Sequence, residues 1–171
     1  MATYVKIASV TVGSGGAADI EFTSIPGTYD DLVVKISSRS NRSSAGDDVG
    51  ITFNNVTSGY SGKVVQGDGS IAQSFNNAST SLFDYSVVTN GNTSTASTFG
   101  NAEFYIPNYT GSTNKSVSFD SVYEANSSTA SDRMAAGLVT ITSAITSIKL
   151  DPLSGDFLQH SSASLYGIKK S

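Results

Sequence analysis

Apolar residues recur at every second position along most of this chain, in short runs broken by clusters of Gly, Asn, Ser and Asp. A period of two sends alternate side chains to opposite faces of a strand, so each run predicts a half-buried β-strand. The run 4–12 (YVKIASVTV) precedes a turn at 13–16 (GSGG), and 18–25 (ADIEFTSI) follows with Ile20 and Phe22 on one face. Pro26 and Gly27 head the next strand, 31–40, in which Leu32, Val34 and Ile36 alternate. A polar loop over 41–48 (NRSSAGDD) leads to a strand at 49–54.

The pattern weakens between 55 and 80. Residues 63–66 (KVVQ) read as a short strand and 67–70 (GDGS) as a turn, while 70–80 (SIAQSFNNAST) is compatible with a turn of helix or an extended excursion. Alternation resumes at 81–88. The segment 89–98 carries Asn90-Gly91, a dipeptide suited to hairpin loops. Strands follow at 99–109, ended by Pro107, at 114–126, 133–142, 144–153 and 161–168. In 114–126, Val117, Phe119, Ser121 and Tyr123 share one face, and Ser116, Ser118, Asp120, Val122 and Glu124 share the other, which should be largely wet. Nine or ten strands, no amphipathic helix and closely spaced turns predict a single all-β domain over 1–171. The expected architecture is an antiparallel two-sheet β-sandwich, jelly-roll-like.

Composition sharpens this picture. Of the 171 residues only 14% are charged, and Ser and Thr make up about a quarter. Such residues suit sheet faces that meet water or another polar surface without carrying charge. Ten Lys and Arg are scattered against 14 Asp and Glu, a net charge of −4, so no basic footprint for nucleic acid is evident. The absence of Cys excludes disulfides and thiolate metal sites. Residues 1–12 read as a first strand and not as a signal peptide, and no run is long and apolar enough to span a membrane. The expectation is a protein made in a cytoplasm which, if exported, leaves by a route other than a cleaved signal.

No arrangement of residues predicts catalysis. His160 is the single histidine, so a histidine-based metal site or a Ser-His-Asp triad would rest on it alone, and it reads as a surface or interface residue. The pairs Asp30-Asp31 and Asp47-Asp48 are adjacent in sequence, and neighbours on a strand point to opposite faces, so neither pair is preset to share a proton. Asp47, Asp48 and the turn at 67–70 supply oxygen atoms of the kind calcium takes, without the spacing of an EF-hand loop. Asp at such positions usually caps a turn with its own side chain. Catalytic, cofactor and metal sites are accordingly expected to be absent.

Eight Tyr and no Trp leave carbohydrate binding to tyrosine. Tyr60, Tyr85, Tyr105, Tyr109 and Tyr123 are candidates for stacking against a sugar, with Asn108 and Arg42 as polar partners. The alternative is that these tyrosines border the core with their hydroxyls at the surface.

Three stretches carry a resemblance. Ile25, Pro26, Thr28, Tyr29, Asp31 and Leu32 form a strand entry; Ile51, Phe53 and Asn54 lie in a second strand; Ser164 to Ile168 (SLYGI) form a terminal one. In this order the chain resembles small tailed-bacteriophage virion proteins with a β-sandwich fold. The resemblance implies a bacteriophage virion structural protein without enzymatic activity, made in the host bacterial cytoplasm.

Within that family the reading is a capsid cement or decoration protein that binds the outside of the icosahedral head as a trimer. Its implied partners are its own copies and the major capsid protein, with no nucleic acid and no membrane. The alternative is a tail-fibre or tail-tip receptor-binding subunit, for which a glycan would be the partner. The N-terminal strand and the loops 41–48 and 89–98 are the candidate contact regions.

Overall fold

The computed structural model describes residues 2–77, 80–126 and 130–170. Among these, twelve strands form two antiparallel sheets and no helix is present. In chain order they are β1 (Thr3–Thr11), β2 (Ile20–Phe22), β3 (Asp31–Ser38), β4 (Gly46–Phe53), β5 (Tyr60–Gly67) and β6 (Ala72–Asn76). The remainder are β7 (Phe83–Asn90), β8 (Gly100–Ile106), β9 (Lys115–Glu124), β10 (Ala130–Val139), β11 (Ile148–Pro152) and β12 (Ser162–Lys169).

The larger sheet has the order β1-β12-β3-β8-β9-β10-β5-β6, and the smaller β2-β11-β4-β7. Setting aside the antiparallel pairs β5-β6 and β9-β10 leaves eight strands. Among those eight, the first, last, third and sixth form one sheet and the second, seventh, fourth and fifth the other. That interleaving is the double Greek key of a jelly roll. The two additional pairs lengthen only the larger sheet, which is why it has eight strands against four.

Alternation positions the core. Leu32, Val34 and Ile36 of β3, Ala102, Phe104 and Ile106 of β8, and Val117 and Phe119 of β9 are all buried against Val49, Ile51 and Phe53 of β4 and Ile148 and Leu150 of β11. Phe83 on β7 packs edge-on against Phe53, Tyr60 and Phe119, with ring centroids 5.0 to 6.0 Å apart. The Phe83 ring also fills the space above Gly137, where an added Cβ would stand 2.4 Å from Cε1. β7 itself is buried throughout except for the half-buried Tyr85.

Several elements differ from the sequence pattern, each for an identifiable reason. Gly46, Asp47 and Asp48 look like loop residues, yet they extend β4 by pairing with Asn90, Thr89 and Val88. Gly46 is required there because the Tyr123 ring lies 2.7 Å from where its Cβ would be. The short strand expected at 63–66 is the centre of an eight-residue β5.

β6 runs through the ambiguous stretch and pairs with β5. Its alternation was hidden because Phe75 is the sole large apolar residue in AQSFN. The strand expected from 144 starts only at Ile148, because the Asn54 side chain takes the backbone groups before it. Its Oδ1 accepts from Thr146 N (2.8 Å) and Ser147 N (3.1 Å), and its Nδ2 donates to Ala144 O (2.8 Å).

Candidate functional site

The first and last of the resemblance-bearing stretches meet at one corner of the sandwich. Asp31, buried at the start of β3, accepts from the Tyr105 hydroxyl (2.7 Å) and Lys170 Nζ (2.8 Å) on Oδ2, and from Asn108 N (2.9 Å) on Oδ1. Burial pushes this carboxyl up, and the bonds from Lys170, Asn108 and Tyr105 together outweigh it, holding its pKa below the ordinary aspartate value. The buried Tyr109 hydroxyl donates to Pro26 O, so Pro26, Tyr109 and Asp31 tie the 107–109 turn to the entry of β3. This corner is fully engaged in holding the fold. Asp30 donates its backbone N to Ile168 O (2.9 Å) and its carboxylate accepts from Lys170 N (2.6 Å), so both carboxylates of the Asp30-Asp31 pair hold Lys170, one at its backbone N and the other at Nζ.

The connections 12–19, 39–45, 91–99 and 153–161 converge at the opposite end. Gly91 N donates to Ala45 O and Asn92 N to Arg42 O (both 2.8 Å), Asn41 N to Asp156 O (3.0 Å) and Leu158 N to Arg39 O (2.8 Å). The candidate loops 41–48 and 89–98 are therefore one bonded unit. Arg39, 7% exposed, locks it from beneath: its guanidinium donates to the carbonyls of Thr95 (2.7 Å), Thr98 (3.0 Å), Ser94 (3.0 Å) and Asn92 (3.1 Å). Four carbonyl dipoles answer the positive charge, which makes burial tolerable.

His160 is exposed at this end, beside a recess of about 450 Å³ lined in part by Asn41, Phe99, Asp156 and Gln159. Its φ of +73° places it in the left-handed region, which Asn, Asp and His enter more readily than most side chains.

The Asp47-Asp48 pair is met by arginines. Asp48 is bonded to Arg133, whose guanidinium also lies over the rings of Phe75 (5.7 Å) and Tyr85 (5.9 Å). Burial raises the Asp48 pKa, and Arg133 acts against that rise. Asp47 is 2% exposed; its Oδ1 lies 3.4 Å from Arg42 Nη1, and its Oδ2 has no hydrogen-bond partner among the described residues. Two guanidinium groups at this position oppose a divalent cation. Among the described residues, no three His, Cys, Asp or Glu gather as a metal site would need. In the turn after β5, Asp68 Oδ1 accepts from Ser70 N and Ile71 N (both 2.9 Å), the turn-capping role expected of it.

The sugar-stacking candidates separate sharply. Tyr60 and Tyr109 are buried, Tyr85 lies under Arg133, and Tyr123 packs on Gly46. Tyr105 alone of the five lies on the outer face of the larger sheet, next to two tyrosines outside that set. Val33 on β3 pairs with Tyr166 of β12 on one side and Tyr105 of β8 on the other. Val33 is 1% exposed although it points away from the core, so the two flanking side chains close over it. Tyr4, 56% exposed on β1, stands near enough to join Tyr166 in raising the Lys35 pKa, for which hydrogen-bonded Glu103 is the chief cause. Lys35 and Glu103 are 2.8 Å apart, and Glu103 is directly opposite Asp120 on β9. With Asn101 and Met134 these residues border a shallow concavity of about 660 Å³.

Two buried cations, Arg39 and Lys115, escaped the sequence reading. Lys115 Nζ donates to the carbonyls of Thr113 (2.5 Å), Gly111 (2.6 Å) and Ile141 (3.1 Å), and burial lowers its pKa. Neither has a carboxylate within ion-pair distance among the described residues, so no charge pairing in the sequence could have pointed to them.

No protein-family model and no curated protein matches the chain. Among solved structures, it is similar to a variant fructofuranosidase from Schwanniomyces occidentalis complexed with fructosylnystose, with 8% identity and a TM-score of 0.26. That alignment covers 98% of this chain and 33% of the enzyme, so the chain spans about a third of that protein's length. A likeness at this level carries no argument about fold or activity.

Proposed function

We propose that this protein is a bacteriophage virion structural protein, a capsid decoration protein that binds the outside of the head and associates with its own copies as a trimer. The observation that carries self-association is an apolar strip on the outer face of the larger sheet. Met134 on β10 and Val65 on β5 are direct cross-strand partners, 58% and 52% exposed, and Leu138, on the same face beyond the Ala136–Lys63 pair, is 41% exposed. Ile71, in the turn between β5 and β6, is 57% exposed. Elsewhere that face is mostly Ser, Asp, Lys and Tyr, so the adjacent Met134 and Val65 stand out as exposed apolar surface of the kind that an interface covers.

A closed threefold arrangement would bury the strip on each copy. Three modest contacts to the shell, made together, would then raise the effective concentration of each. The resemblance in 25–32, 51–54 and 164–168 supplies the virion setting. The receptor-binding reading is favoured by a separate observation, the tyrosine-bearing region on the same outer face.

The test is sedimentation of the purified protein, followed by its binding to expanded empty heads of the phage whose genome encodes it. Trimers saturating the shells at a fixed copy number support the proposal. A monomeric wild-type protein that leaves shells unbound and adsorbs to host cells overturns it in favour of receptor binding. Met134→Asp should dissociate the trimer while leaving the thermal unfolding of the monomer intact.

A further inference from the structure

The outer face of the larger sheet carries a second feature, which meets the self-association strip at Met134, the cross-strand partner of Asp120. Tyr166, Val33 and Tyr105 form one cross-strand row over β12, β3 and β8, with Lys6 of β1 at its end. The next row runs Ser164, Lys35, Glu103, Asp120. The Tyr105 ring is held in place by its hydroxyl bond to Asp31, so it is set before any ligand arrives. Glu103 and Asp120 oppose one another directly, an arrangement that costs stability unless a cation or donors answer it. Lys35 answers Glu103, and no hydrogen bond or ion pair to Asp120 exists among the described residues.

We propose that this face binds an uncharged oligosaccharide. Tyr4, Tyr105 and Tyr166 offer rings for the C–H faces of sugar units. Asp120 and Glu103 accept from hydroxyls, Lys35 donates, and Asn101 does both. Lys6 and Lys35 balance Glu103 and Asp120, so the centre of the face has no net charge to select an acidic or a basic polymer. The concavity of about 660 Å³ beside Lys35, Glu103 and Asp120 is of ligand-pocket size, and its open shape suits a chain lying across strands. The proposal holds whether the domain sits on a head or a tail.

The experiment is native affinity electrophoresis of the full chain through gels containing dextran, mannan, galactan or laminarin, with hyaluronate as the anionic control. Retardation by at least one neutral polymer is expected. Tyr4→Ala and Asp120→Ala should each weaken it by about tenfold at an unchanged melting temperature. Val65→Asp, on the self-association strip and outside the concavity, should leave it unchanged, which separates the two functions of this face. Retardation by none of the neutral polymers overturns the proposal. So does retardation by hyaluronate alone, or a loss of self-association caused by Tyr4→Ala or Asp120→Ala, which would make the face a contact between copies.

Discussion

The ring of Tyr29 occupies the space that a side chain at Gly167 would need: a Cβ there would stand 2.2 Å from Tyr29 Cγ. Residues 138 positions apart are thus matched in shape, and Lys169 Nζ completes the corner 5.7 Å from the centre of the same ring. Gly167→Ala should destabilise the protein by about 1–3 kcal/mol through overpacking. Tyr29→Ala in the same chain should restore part of that loss. Urea unfolding of both single variants and the double variant measures the coupling, and additive effects would show that the contact does not constrain Gly167.

Asp31 predicts a pH dependence. Its folded pKa lies below its unfolded value, so the unfolded chain takes up the proton first as pH falls. The stabilisation is present above the unfolded pKa and is lost as pH falls through the folded one. Asp31→Asn should therefore cost about 1.5–3 kcal/mol at pH 7 by weakening hydrogen bonds to a charged acceptor. The gap between variant and wild type should narrow below about pH 4. Denaturation midpoints measured from pH 7 to pH 2 test this, and a constant gap would contradict it.

Arg39 should govern the order of the loop 91–99. Arg39→Ala removes the donors to four carbonyls and should make the loop a preferred site of proteolysis. Subtilisin digestion followed by mass spectrometry should place the first cut within 91–99, whereas the wild type resists. Arg39→Lys, with one nitrogen in place of a planar fork, should fall between the two. First cuts at the same position and rate in all three proteins would remove Arg39 from this role.

Phe119 joins the two halves of the core, with its ring 5.1 Å from Phe83 on the smaller sheet and 5.5 Å from Phe104 on the adjacent strand. Phe119→Ala should cost about 3–5 kcal/mol, and Leu165→Ala, at a fully buried position, about 2–5 kcal/mol. His160→Ala, at an exposed position, should leave shell binding unchanged. Chemical denaturation measures the first two effects, and the shell-binding assay measures the third.

Strand existence was legible wherever one face is buried and the other wet, because burial selects apolar residues at a period of two. Leu32, Val34 and Ile36, or Val117 and Phe119, announce their face without any knowledge of what covers it. The same rule explains the failures. β6 has too few apolar residues to display a period, Gly46 to Asp48 look like a loop because their partners lie beyond residue 87, and the 144–147 segment is taken by Asn54.

The period of two also states only that alternate side chains part company, not which surface each side meets. Val33 reads as a residue outside the core, and only the pairing of β3 with both β12 and β8 places it beneath Tyr166 and Tyr105. The alternation was determined by sequence because it is local. The joining of loops 41–45 and 91–99, the burial of Arg39 and Lys115, and the gathering of Tyr4, Tyr105 and Tyr166 on one face depend on strand order. They were decided by the tertiary structure because a jelly roll pairs its first strand with its last.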